Sequence, residues 1–147
     1  MGPKKKKAKD IIPKEKYRKI LKGLKLENIY FMKGRFSLEK EELKPGSKVT
    51  IAEKASFEIK ANNSVYIIHA YKLNVINIEN KKRSVNIECS FHLKFLSEEE
   101  FPENFFEIFK KVNLPVHTWP FFREYVFNIT AKMNIPPLTL PLLKRNI

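Results

Sequence analysis

The order of sequence patterns predicts an α+β fold, with strand-period segments through the first two thirds and helix-period segments after them. Three observations carry this. Ser84 to Leu96 alternates strictly: Val85, Ile87, Cys89, Phe91, Leu93 and Phe95 share one face, with Asn86, Glu88, Ser90, His92 and Lys94 on the other. Val65 to Ile78 is long and β-branched, with Val65, Ile67, Tyr71, Leu73 and Val75 at odd positions. Trp119, Phe122, Val126, Ile129 and Met133 then recur at helical spacing, so a helix buries one stripe.

In chain order, Leu24 to Leu38 reads as one or two strands anchored by Ile29, Phe31 and Phe36. Pro45-Gly46 marks a turn, and Val49 to Ala61 is extended, with Phe57, Ile59 and Ala61 alternating against Glu58 and Lys60. Asn62-Asn63-Ser64 is turn chemistry, and Asn80 to Arg83 forms a hairpin tip. Glu98 to Pro102 leads into a short helix, Glu103 to Val112, with Phe105, Ile108, Phe109 and Val112 on one side. After Asn113-Leu114-Pro115, Thr118 is placed to cap the second helix, with Pro120 in its first turn. Phe121 and Tyr125 widen the apolar stripe, and Pro136-Pro137 ends the helix.

The chain has 147 residues, 43% of them hydrophobic, which suits one domain with one core. Its net charge of +13 is uneven. Residues 1–25 hold eleven Lys/Arg against Asp10 and Glu15, a net +9, which leaves +4 for the rest. Residues 1–23 are therefore expected to be a basic, disordered tail, with the lysine run Lys4 to Lys7 open to non-specific anion or nucleic-acid contact, and residues 24–147 to be the folded domain. No apolar run approaches the length of a membrane span, and one cysteine precludes an internal disulfide, so a reducing cytoplasm is expected.

Catalytic chemistry has little to work with. Asp10 is the single aspartate, and all four glycines lie in the first third, leaving no Gly-rich loop to cradle a phosphate. Cys89 and His92 differ in strand parity and so face opposite sides of a sheet. His69 could share a face with Cys89, while His117 falls in the connection before the second helix. Neither an enzyme, a cofactor nor a metal site is expected.

The segment Pro120-Phe121-Phe122-Arg123-Glu124, followed after some ten residues by Ile135-Pro136-Pro137-Leu138-Thr139-Leu140-Pro141, resembles the SecB-type protein-export chaperones. That family opens its long helix with Pro-aromatic-x-Arg-Glu and leaves it through a Pro-x-Leu-x-Leu strip closing on proline. The likeness is sharp over residues 101–143 and topological over 24–96. It implies a four-stranded antiparallel sheet followed by a short and a long helix packed on one face, assembled as a homotetramer, a dimer of dimers. It further implies ATP-independent holding of unfolded or pre-secretory polypeptides, or of an antitoxin in toxin–antitoxin relatives.

By position, the resemblance assigns a client-binding groove to Phe57, Ile59, Ala61, Leu114, Trp119, Phe121 and Phe122. Pro120, Arg123, Glu124, Pro136, Leu138 and Leu140 form the structural or oligomer motif. In the family the export ATPase SecA docks on an acidic sheet face and a C-terminal tail. This chain is basic and ends four residues after Leu143, which weakens the expectation of SecA as a partner. The rival readings are a nucleic-acid-binding module using the basic N-terminal segment and a structural accessory subunit without clients.

Overall fold

The computed structural model describes residues 11–141, which form four strands and three helices. Helix α1 (Lys14–Lys22) leads into strand β1 (Leu24–Leu38), and one turn of 3-10 helix at Lys40–Glu42 precedes β2 (Lys48–Lys60). Strands β3 (Ser64–Ile76) and β4 (Arg83–Ser97) follow, then helices α2 (Glu103–Val112) and α3 (Leu114–Lys132). The strands pair antiparallel in the order β1-β4-β3-β2, placing the two alternating segments at the centre and β1 and β2 at the edges.

Central position explains the patterning. Val65, Ile67, Tyr71 and Leu73 of β3 and Val85, Ile87, Cys89, Phe91, Leu93 and Phe95 of β4 are all buried. The register sets Ile67 opposite Leu93 and Tyr71 opposite Cys89, so these residues share the face that the helices cover. Asn62 and Asn63 take positive φ in the β2–β3 turn, a conformation asparagine tolerates well. In the β3–β4 turn, the Asn77 and Asn80 side chains accept hydrogen bonds from the backbone N–H of Glu79 (3.0 Å) and Lys82 (2.9 Å). Strand β1 is continuous, with register irregularities between Leu26 and Asn28 and between Phe31 and Lys33.

The N-terminal expectation fails for residues 11–23; the lysine run lies outside the described residues. Residues 14–22 are helical, ending at Gly23, and Ile12 and Ile20 are buried in the core at 4% and 2% exposure. Tyr17, Ile20 and Leu21 supply an apolar stripe inside the basic segment. Tyr17 packs on Phe105 (ring centroids 4.7 Å) and its hydroxyl donates to the Asn113 side chain. Charge density hid an amphipathic helix.

The long helix also begins earlier than expected. Only Asn113 separates α2 from α3, so no connecting loop exists, and His117 and Thr118 lie within the helix. Leu114-Pro115 starts it because proline is well suited to a first turn, where its missing N–H leaves nothing unpaired. Pro120 then falls inside the helix on its exposed side, and Thr118 is a buried interior residue instead of a cap. Past the helix, Asn134 takes positive φ (57°) and the chain reverses.

Candidate functional site

The proline-rich strip after α3 has a partner within the chain. Leu138 N–H donates to Thr130 Oγ1 (2.9 Å), Arg123 Nε to the Leu140 carbonyl (2.6 Å), and Trp119 Nε1 to the Pro141 carbonyl (2.9 Å). Residues 138–141 therefore run back along α3, from its C-terminal end toward its start. Leu140 is buried at 3% and Leu138 is half-buried, while Pro136 is exposed. Arg123 thus fixes the strip to the helix. Its neighbour Glu124 is exposed and lines a cavity beside β1.

The residues assigned to a groove separate into three groups. Leu114 and Phe122, both 0% exposed, belong to the core; Phe122 stacks on Tyr71 with ring centroids 4.5 Å apart. Trp119 is half-buried against Tyr71 and Phe122. Phe57 and Ile59 sit on edge strand β2, where Phe57 contacts Phe101 and Phe106 (5.1 and 4.5 Å) and Ile59 is 52% exposed. Ala61 is exposed in the turn that follows. Phe121, 49% exposed, leans toward Phe91 on the β1 side of the sheet. With strand order β1-β4-β3-β2, Ile59 and Phe121 belong to opposite margins and do not line one groove.

The margin along β1 holds a cavity of 330 Å³, lined by Ile29, Phe31, Phe91, Phe121 and Tyr125 among others. Phe31 packs on Tyr125 (5.0 Å) and edge-on to Phe91 (5.6 Å). Gly34 permits this approach: a Cβ there would lie 2.6 Å from the Phe31 ring and 2.7 Å from the Tyr125 hydroxyl. Phe36 is exposed on the same strand, while Val49 and Ile51 join Ile59 on β2. The helix-bearing side thus shows apolar surface along both edges of the sheet, where each edge strand also has one side unpaired among the described residues.

Cys89 is buried and its thiol is pushed up to about 12 by desolvation, so it is no nucleophile near neutrality. Cys89 faces the helices, while His92 lies on the opposite face between Tyr30 (4.9 Å) and Tyr66 (5.5 Å), as the parity predicts. His69 is buried, with Nδ1 2.8 Å from Thr118 Oγ1 and Nε2 3.7 Å from a Glu53 carboxylate oxygen. His117, half-buried against Phe95, has its pKa lowered by desolvation. Among the described residues no group of three or more His, Cys, Asp or Glu is placed to hold a metal, and no helix is long and apolar enough to cross a membrane.

No protein-family model matches the sequence, and no curated protein matches it significantly. Solved structures do. A SecB-like chaperone of Mycobacterium tuberculosis, in complex with a peptide from the HigA1 antitoxin, superposes with a TM-score of 0.68 at 18% identity, over 86% of this chain and 95% of that one. A Streptococcus agalactiae protein of unknown function aligns over 81% of this chain and 97% of that one, at 13% identity and a TM-score of 0.41. The α+β architecture, a four-stranded antiparallel sheet followed by helices, is the SecB-like fold.

Proposed function

We propose that this chain, built on the SecB-like chaperone fold, holds non-native polypeptide without ATP, with an antitoxin or a pre-secretory protein as client, and acts as a cytoplasmic homotetramer. The observation that carries this reading is the fold shared with a SecB-like chaperone solved in complex with an antitoxin peptide. Support comes from the apolar margins. Phe31, Phe36, Phe121, Val49, Ile51 and Ile59 are each between 39% and 54% exposed. Uncovered apolar area costs roughly 25 cal/mol per Å², and an extended client would remove that cost without directional bonds. Its backbone could also pair with a free strand edge. Tetramer formation would cover part of the same surface, leaving the remainder for the client.

The test is the aggregation of a chemically unfolded client diluted into buffer, with wild type beside Ile59→Asp and Phe121→Asp. Wild type should suppress light scattering at a stoichiometric ratio, with no added nucleotide, and each variant should suppress it less. Failure of wild type at that ratio would sink the holding function. Co-expression of the gene with neighbouring toxin–antitoxin or secretory genes would then separate the two client classes.

A further inference from the structure

The face of the sheet away from the helices carries a different chemistry. The register groups its side chains into rows. Lys33, Ser90, Ala70 and Lys54 form one, and Arg35, Glu88, Lys72 and Ala52 the next. Small Ala52, Ala70 and Ser90 leave a trough of 540 Å³ between these rows, with no helix residue in its lining. Glu88 is engaged by Arg35 (3.6 Å) and Lys72 (3.3 Å), whereas Lys33 and Lys54 are exposed with no carboxylate partner among the described residues. Beside the trough lies an aromatic row across three adjacent strands: Tyr30 stacks face to face on His92, and Tyr66 tilts against His92. Lys60 sits over the Tyr66 ring at 4.9 Å, with Glu58 opposite Tyr66 on β2, while Lys94, at 5.9 Å, is ion-paired with Glu27 (2.8 Å).

We infer that this face binds single-stranded nucleic acid, with bases extending the Tyr30–His92–Tyr66 row from its exposed Tyr30 and half-buried Tyr66 rings and phosphates drawn to Lys33, Lys54 and Lys60. Charge complementarity alone would suit any polyanion. The aromatic row, interleaved with lysines on a four-stranded sheet, selects the nucleic acid, because a base can extend the stack from the exposed Tyr30 ring and an acidic polypeptide offers no such planar face. Phosphates need no fixed register on flexible lysines, so the binding is expected to be sequence-tolerant. This site lies on the other side of the sheet from the apolar margins and does not depend on the chaperone reading.

The experiment is fluorescence anisotropy of a labelled oligouridylate with the full chain over a salt series. Its companions are Lys33→Glu/Lys54→Glu, Tyr30→Ala/Tyr66→Ala, and a Lys4–Lys7 to Gln variant of the N-terminal run. Each substitution on the face sits at an exposed or half-buried position, and far-UV circular dichroism checks folding. Reversing the two lysines should weaken binding at least tenfold and reduce the log–log salt slope by about 1.4, at about 0.7 per phosphate contact on a single strand. Removing the two rings should weaken binding by a similar factor while leaving that slope unchanged. Two results overturn the inference: binding that survives both face variants but vanishes with the lysine run, and oligoglutamate competing as well as the oligouridylate. Absence of binding by wild type at low salt does so too.

Discussion

The hydroxyls of Tyr71 and Thr118 lie 2.7 Å apart in the closed layer between sheet and α3, and the Thr118 oxygen is also 2.8 Å from His69 Nδ1. One hydroxyl therefore satisfies two buried groups from β3, which are 1% and 0% exposed. Thr118→Val keeps the shape and strands both. An unsatisfied buried polar group costs about 1–3 kcal/mol, so the variant should lose about 2–4 kcal/mol. Urea unfolding checks it; a midpoint within error of wild type would remove this network from the account of how α3 is held.

The same contact shows where sequence patterning reached its limit. Thr118 carries the residue type of a helix cap, and only the single-residue break at Asn113 turns it into an interior residue. Strand alternation in β3 and β4 was readable because both strands are central, with each face in one environment. Edge strand β1 was less readable: its register shifts around Met32 break the period of two, leaving Phe31 and Phe36 on the helix side although their parities differ. The exposed and buried halves of the assigned groove could not be told apart by spacing. Leu114 and Phe122 have the same apolar character as Phe121, and burial differs only because α3 crosses the sheet with Phe122 down on Tyr71.

The segregation of Ile59 and Phe121 to opposite margins makes a prediction about client holding. Ile59→Asp and Phe121→Asp should each weaken suppression of aggregation in part, and the double variant should abolish it. Both side chains are about half exposed, so thermal stability should change by no more than about 0.5 kcal/mol per site. Complete loss from either single variant would instead indicate one continuous groove, formed between subunits.

Helix α1 belongs to the folded unit, which Ile20 can test. It is 2% exposed within the core, so Ile20→Ala should cost about 2–4 kcal/mol in urea unfolding. The nearby Lys19→Ala, at a side chain 72% exposed and 3.7 Å from Glu99, should change stability by well under 1 kcal/mol. Equal, negligible effects from both would return residues 14–22 to the status of a tail.

Burial of acidic hydroxyl and thiol groups sets the alkaline limit. Cys89 and Tyr17 are both raised to about 12 by desolvation, and Tyr71 is raised as well. The folded state favours the neutral forms, so their contribution is complete below about pH 7.5, under the ordinary thiol value of about 8.5 at which the unfolded thiol is half ionised. It is lost progressively as pH rises from there toward about 12. The urea midpoint should therefore hold from about pH 6.5 to 7.5 and fall above about pH 8.5. Cys89→Ala should decline less steeply over that window. A thiol reagent should modify Cys89 at pH 8 only after denaturation.

Trp119 is the chain's single tryptophan, and its position under the end of the returning strip makes it a reporter. Its ring packs on Tyr71 and Phe122, while its N–H reaches the Pro141 carbonyl; Leu140 is buried beside it in sequence and Arg123 holds that residue's carbonyl. Leu140→Asp places a charge where only 3% of the residue meets solvent, which the strip can relieve only by leaving α3. Emission of Trp119 should then shift to longer wavelength, and binding of an apolar dye should rise as α3 is uncovered. Arg123→Met, which removes one anchor and keeps the apolar stem, should shift emission less. If Leu140→Asp leaves the spectrum unchanged, the strip is not what covers Trp119, and the surface available to a client along α3 is correspondingly larger.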